Sequence, residues 1–161
     1  MIDVTPLEDL GHADHGWLDA RHHFSFANYY DPDRMGFGPL RVWNDDVIKP
    51  GKGFPMHPHA DMEIITYLRK GEISHEDNLG NKGVTVAGDV QVMSAGTGIV
   101  HSEYNRGEVD TELFQIWLNL PARSKMVPSY FSMFWRHRIP DVTTTDTDGL
   151  ETTVVGYCGS L

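Results

Sequence analysis

From residue 38 to residue 120 the chain is written in short apolar or alternating segments, broken by glycine, asparagine and aspartate, with little sustained 3.6-residue periodicity. That pattern predicts strands rather than helices. The segments are LRVWNDDVI (40–48), MEIITYL (62–68), EISHED (72–77), VTVA (84–87), DVQVMSA (89–95), IVHSEYN (99–105) and ELFQIWLNL (112–120). Turns fit between them at KPGKG (49–53), NLGNKG (78–83) and AGTG (95–98), where glycine takes positive φ without a Cβ penalty. Many short strands at close, even spacing predict an all-β sandwich or barrel.

The flanks are less regular. DARHHFSFANYYDPDRMGFG (19–38) is aromatic and turn-rich, and reads as a covering loop that packs Phe24, Phe26 and Tyr29 on the barrel rather than as a strand, a helix or a substrate-contacting segment. Beyond Leu120 the character changes. PARSKMVP (121–128) reads as a linker or short helix, followed by SYFSMFWRHRIP (129–140), a polar run DVTTTDTDG (141–149) and a last expected strand in LETTVVGYC (150–158). The expected division is a barrel with its covering segment over residues 1–120 and an extension over 121–161.

Composition narrows the class. A chain of 161 residues suits one domain, and a domain of that size buries roughly 70% of the surface its unfolded chain exposes. The single cysteine, Cys158, leaves no intrachain disulfide and reads as a small buried hydrophobe. The start MIDVTPLEDLGHADHGW lacks the basic and apolar regions of a secretory signal, so a cytoplasmic location is expected. No apolar stretch approaches the ~20 residues that cross a bilayer. The formal charge of −10, from 23 acidic and 13 basic residues, would repel a phosphate backbone. Direct nucleic-acid binding is therefore not expected.

Paired histidines supply the chemistry. In HPHADMEIITY (57–67), His57 and His59 lie one residue apart, and an extended strand would point both to one face with their imidazoles about 7 Å apart along it. GIVHSEYN (98–105) repeats the arrangement with His101 and Glu103. Three imidazoles and a carboxylate suffice for a divalent cation with positions left open for water or substrate. The bland alternative is a hydrogen-bonded interior, but each unsatisfied buried polar group costs about 1–3 kcal/mol, which favours a shared cation. Nitrogen and oxygen donors without thiolate suit Fe(II), Mn(II), Ni(II), Cu(II) or Zn(II). His12, His15, His22, His23, His75 and His137 lack such partners and read as surface or capping residues.

The spacing is more specific than the residue types. Gly51, His57, His59, Glu63 and Gly71 follow the first motif of the cupin barrels, and Gly88, Gly96, His101 and Asn105 resemble the second, with Ser94 where proline is usual and two extra residues before the histidine. The runs HFSFANYYDPDRMGFGPLRVWNDDVI, GFPMHPHADMEIITYL, GDVQVMSAGTGIVHSEYN and FQIWLNLP resemble the pirin family, over about residues 10 to 121. That resemblance implies a cupin double-stranded β-helix barrel that binds iron, with the ligand pattern falling on His57, His59, His101 and Glu103. The general cupin motif would instead make Glu63 the carboxylate ligand. Under the pirin pattern Glu63 becomes an acceptor that orients a ligand imidazole or pairs with a cation.

Several pirin-like proteins are quercetin 2,3-dioxygenases, so the resemblance implies a flavonol substrate and O2, with Glu103 as acceptor of the flavonol hydroxyl proton and carbon monoxide and a depside as products. Phe54, Met56, Met93 and Trp117, apolar groups near the motif strands, are the expected pocket walls. Pirins usually continue into a second cupin barrel, whereas this sequence stops soon after VVGYCGSL, so a homodimer is expected, with LETTVVGYC pairing or swapping across the interface. Two other readings stay open: an iron-dependent, redox-responsive regulator that binds a protein partner, and a metal-binding cupin without either role.

Overall fold

The structure, a computed structural model, describes residues 4–156. Among the described residues thirteen strands form in chain order: β1 (Gly11–Asp14), β2 (Leu18–His22), β3 (Leu40–Ile48), β4 (Gly53–His59), β5 (Met62–Lys70), β6 (Glu72–Asp77), β7 (Lys82–Val86), β8 (Val90–Ser94), β9 (Ile99–Tyr104), β10 (Thr111–Asn119), β11 (Tyr130–Phe134), β12 (Asp141–Thr145) and β13 (Glu151–Val155). A single turn of helix, α1 (Ala122–Lys125), follows β10. Among the described residues no helix is long and apolar enough to cross a membrane.

Two antiparallel sheets make the barrel. The larger has the order β1-β2-β3-β10-β5-β8-β11, the smaller β4-β9-β6-β7, and their inner faces meet. One end is apolar: Leu18, Ala20, Ile48, Leu68 and Leu113 of the large sheet pack on Ile73 of the small one. A second cluster joins Ile64, Met93 and Ala95 to Ile99 across the sheets. Burying such faces supplies the main driving force for folding, about 25 cal/mol per Å² of apolar surface removed from water.

Between the apolar clusters the inner face of the large sheet is polar. Cross-strand register sets His22 opposite Asn44, Asn44 opposite Gln115, Gln115 opposite Thr66 and Thr66 opposite Gln91, one row across β2, β3, β10, β5 and β8. All but Gln115 are buried. Because alternate residues share a face, the row follows from register once the neighbouring apolar positions are set inward.

All seven expected strands form, with ends displaced by no more than two residues. Three differences have local causes. DARHH opens as a strand, β2, whose buried Leu18, Ala20 and His22 alternate with more exposed residues. The polar run after Pro140 begins as β12, where β-branched Val142 and three threonines favour extension despite full exposure. The strand in LETTVVGYC pairs with β12 of the same chain through a turn at Gly149, φ 80°. Cys158 lies outside the described residues.

Candidate metal centre

The histidines are aimed by a β-bulge. On β4 and β9, Phe54 pairs with Glu103 and His57 with His101, so three steps on β4 span two on β9. The extra residue puts Phe54, His57 and His59 all on the inner face, although plain alternation would separate 54 from 57. Gly53 permits the approach: a Cβ there would lie 2.1 Å from the Glu103 carbonyl oxygen and 2.6 Å from the Tyr104 Cα. Ring centroids then lie 4.7 Å apart for His57 and His59, 4.5 Å for His57 and His101, and 5.0 Å for His59 and His101. One ligand nitrogen from each of the three falls within 4.8 Å of the others.

Hydrogen bonds select which nitrogens face the centre. His57 Nδ1 is 2.7 Å from the Pro55 carbonyl oxygen, which can only accept, so Nδ1 carries a proton and Nε2 is the nitrogen left to bind a cation. For His101 the selection runs through two further side chains. Asp77 is wholly enclosed in donors: Oδ1 accepts from the Leu79 and Asn81 backbone N–H groups, and Oδ2 lies 2.9 Å from Asn81 Nδ2 and 3.2 Å from His75 Nε2. Burial opposes its ionisation, but the bonds from Asn81, His75 and Leu79 outweigh that and hold the carboxyl below its ordinary pKa. Burial also lowers the pKa of His75, so its one proton sits on Nε2, facing Asp77. His75 Nδ1 is then an acceptor, and His101 Nδ1, 3.3 Å away, must donate to it. The proton-free Nε2 of His101 is buried without any hydrogen-bond partner. A bare buried lone pair costs about 1–3 kcal/mol, and a cation held by three imidazoles would satisfy it.

Electrostatics suit a cation as well. Burial, followed by the other imidazoles, lowers His101 to about 2, and burial with His57 lowers His59 to about 4. Both are neutral across the physiological range, the state in which an imidazole can bind a cation. Glu103 is 3% exposed, and burial pushes its carboxyl up to about 7 against the opposing bonds from Gln115, Thr66 and Gln91. Gln115 Nε2 donates to Oε2 at 3.1 Å, while Thr66 and Gln91 donate to Oε1. Its oxygen groups with His75 and His101 within 4.8 Å, a second cluster that shares His101 with the first. The polar row of the large sheet thus holds the carboxylate, and the small sheet holds the imidazoles.

Glu63 is elsewhere. Asp61 takes φ 56° between β4 and β5 and breaks the parity that would have aligned residue 63 with the histidines. Inward positions on β5 are Ile64, Thr66 and Leu68, and Glu63 accepts a hydrogen bond from the Tyr130 hydroxyl at 3.1 Å instead of bonding a ligand imidazole.

The centre opens into a cavity of about 490 Å³. Phe54 and Trp117 line it, Trp117 meeting His59 edge to face at 4.9 Å. Met56 and Met93 do not. Met56 precedes the inward His57 on the bulged strand and is 53% exposed, and Met93 is 2% exposed inside the cluster of Ile64, Ala95 and Ile99. Phe26 and Tyr29, read as a covering packing segment, form part of the cavity wall, Phe26 edge to face with Trp117 at 5.5 Å. His22, Asn44 and Asp46 also line it. His75, read as a surface or capping residue, is 2% exposed and stacks on Phe131 at 4.0 Å. Alternation in EISHED carries the missed signal: Ile73, His75 and Asp77 share a face, and Ile73 belongs inside.

Comparison with known proteins gives the family. The Pirin family model matches residues 4–118. A pirin-like protein of Caulobacter vibrioides is 69% identical over 132 residues, and a quercetin 2,3-dioxygenase of Escherichia coli K12 is 54% identical over 131 residues. These matches take in 82% and 81% of this chain and 56% of each relative. The crystal structure of the bacterial pirin YhhW of Escherichia coli in complex with nickel(II) superposes with a TM-score of 0.75 at 52% identity, over 80% of this chain and 55% of that one. The chain therefore spans about half the length of these relatives. Barrel, histidine cluster and sequence together place this chain in the pirin family, with the cupin fold.

Proposed function

We propose that the protein is a metal-dependent oxidoreductase of the quercetin 2,3-dioxygenase type, opening a flavonol ring with O2 to give carbon monoxide and a depside. The observation that carries the reading is the bare, unpartnered His101 Nε2 among three convergent imidazoles on the wall of an aromatic cavity. The proposed ligands are His57, His59, His101 and Glu103. When bound, a divalent metal, iron first and manganese, nickel, copper or zinc by the same donor set, would supply charge that favours an ionised substrate hydroxyl, and a redox-active one, iron first, would also supply redox chemistry with O2.

The chain's own groups do the rest. Glu103, at about 7, is poised to accept and return a hydroxyl proton near neutrality. Gln115, Thr66 and Gln91 hold its two oxygens in place. The cavity lies within the roughly 300–1,000 Å³ that encloses a drug-sized ligand, and Phe26, Phe54 and Trp117 offer ring faces and edges to a flat aromatic molecule. The names of the relatives point to the same reaction.

The test is aerobic turnover of quercetin by iron-loaded protein, followed by loss of the flavonol absorbance and by carbon monoxide. Stoichiometric carbon monoxide that disappears on chelation and in His101→Ala is the expected result. Fully metal-loaded protein that leaves quercetin intact would overturn the reading.

A further inference from the structure

Four buried side-chain polar atoms among the described residues have no hydrogen-bond partner: Trp43 Nε1, Asp46 Oδ1, His101 Nε2 and Trp117 Nε1. Residues 46, 101 and 117 all line the one cavity beside the histidines. Native interiors leave few such atoms unpaired, so their concentration around one cavity points to a ligand that pairs them. His101 Nε2 is accounted for by the cation proposed above. Asp46 is not.

Asp46 is 4% exposed and lies on the inner face of β3. It sits opposite Ala20 on β2 and Leu113 on β10, both members of the apolar end of the barrel. Two residues back, Asn44 is opposite Gln115, the residue that holds Glu103. Asp46 therefore stands one side-chain row, about 7 Å along the strand, from the row that holds the Glu103 carboxylate. The charged groups acting on it are Asp45, Glu103 and Asp19, all acidic. Burial first, and these neighbours second, push its carboxyl up to about 8, so near neutral pH it is a carboxylic acid with one proton to donate and an oxygen free to accept. A carboxyl kept for structure would have found a donor. Asp46 lines a cavity, and its Oδ1 has none.

We infer that Asp46 is a specificity-determining residue of this cavity: it exchanges hydrogen bonds with a ring hydroxyl of a polyhydroxylated aromatic substrate, beyond the part held at the histidines. A phenolic hydroxyl also donates and accepts, so it satisfies a neutral carboxyl in both senses, whereas hydrogen or alkyl at that ring position leaves Oδ1 orphaned. Anionic substrates are disfavoured there by the acidic neighbours. The Trp117 indole N–H, also unpartnered, offers a second donor to the same molecule. The inference rests on the flavonol reading above and extends it from the reacting group to the choice among flavonols.

Binding to Zn(II)-loaded protein, which carries no redox turnover, tests it. Tryptophan fluorescence quenching would compare 3-hydroxyflavone, with a single hydroxyl, and galangin, which adds two on the fused ring. In wild type, galangin is expected to bind at least about tenfold more tightly, the cost of leaving one buried polar group unpaired. Asp46→Leu is expected to bring the two flavonols to similar affinity, and Asp46→Asn, which keeps a donor and an acceptor, to retain most of the preference. Melting of Asp46→Leu at or above the wild-type temperature is expected as well, because the substitution removes an unpartnered buried carboxyl; Asp46→Ala carries the same comparison should the larger side chain not fold. Galangin preference that survives in Asp46→Leu or Asp46→Ala, or its absence in wild type with both flavonols bound, overturns the inference alone. If wild type binds neither flavonol, the flavonol reading itself fails and takes the inference with it.

Discussion

The two-histidine relay behind the candidate metal centre is most directly tested by Asp77→Asn, a nearly isosteric change. Oδ1 accepts from two backbone N–H groups, so that position must remain an oxygen, and the amide nitrogen takes the place of Oδ2. That NH2 then faces His75 Nε2 and requires it to accept. The His75 proton moves to Nδ1, His101 Nδ1 must accept in turn, and the remaining proton of His101 moves to Nε2, the atom aimed at the cation. Metal binding must then drive the site back to the original tautomer against one mismatched buried hydrogen bond, about 1–3 kcal/mol. This agrees with the 10–100-fold loss in affinity typical when the partner of a ligand imidazole is changed. Competition with a chromogenic chelator for Zn(II) reads the affinity, and 15N spectra of histidine-labelled, metal-free protein read the tautomer. A bare Nε2 is expected at His101 in wild type and a protonated one in the variant. Unchanged affinity with an unchanged His101 tautomer in a folded variant would refute the relay.

The other predictions address the ligands, the walls and pH. His57→Ala and His101→Ala should abolish stoichiometric metal by elemental analysis while Glu63→Gln retains it, since Glu63 bonds Tyr130. With Glu103 at about 7, metal binding should release roughly 0.9 more proton at pH 6 and roughly 0.1 more at pH 8 in wild type than in Glu103→Gln, measurable by pH-stat titration. Both Glu103 and Asp46 have folded pKa values above their unfolded ones, about 7 and about 8, so their contribution to stability is present at low pH and lost as pH rises through those values. Metal-free protein should accordingly lose roughly 2 kcal/mol between pH 6.5 and 8 in denaturant titrations, and Asp46→Asn should lose less. Met93→Ala should destabilise by about 2–5 kcal/mol as a core truncation, whereas Met56→Ala, at an exposed position, should leave the denaturation midpoint in place. Gly53→Ala should displace β4 from β9 and weaken metal binding, because its Cβ would collide with backbone.

Strand positions were legible because alternation in segments such as EISHED and LRVWNDDVI maps directly onto one inward and one outward face. The imidazole pairs were legible for the same reason. What alternation could not carry was any relation that crosses an irregularity. The bulge in β4 sends Phe54 inward and Met56 outward, and the positive φ of Asp61 turns Glu63 away. Pro55 and Pro58 hide β4 itself, since proline interrupts a strand pattern that survives here with register shifts. Met93 is ambiguous in sequence, because an apolar residue near the motif serves a core and a pocket equally well. The relay was within reach: His75 and Asp77 alternate with buried Ile73, but a lone histidine gives no reason to look inward until its partner on β9 is known.

The same alternation explains why the polar interior is a functional statement rather than a packing accident. Val42, Asn44, Asp46 and Ile48 occupy the four inward positions of β3, and the two ends are what a barrel core demands. The middle two are not, and each polar residue there needs an answering group in the interior. Asn44 has His22 at 3.0 Å, and across the row Gln115, Thr66 and Gln91 converge on Glu103. The row is thus satisfied within the protein and works as a rigid mount for one carboxylate. Among the atoms it does not satisfy, Asp46 Oδ1 and His101 Nε2 mark two places where the fold tolerates an unpaired buried acceptor. A barrel selected for stability alone would fill both positions with aliphatic side chains, so the pair is read most simply as the two ends of what the cavity binds: a cation at one, a hydroxylated ring at the other.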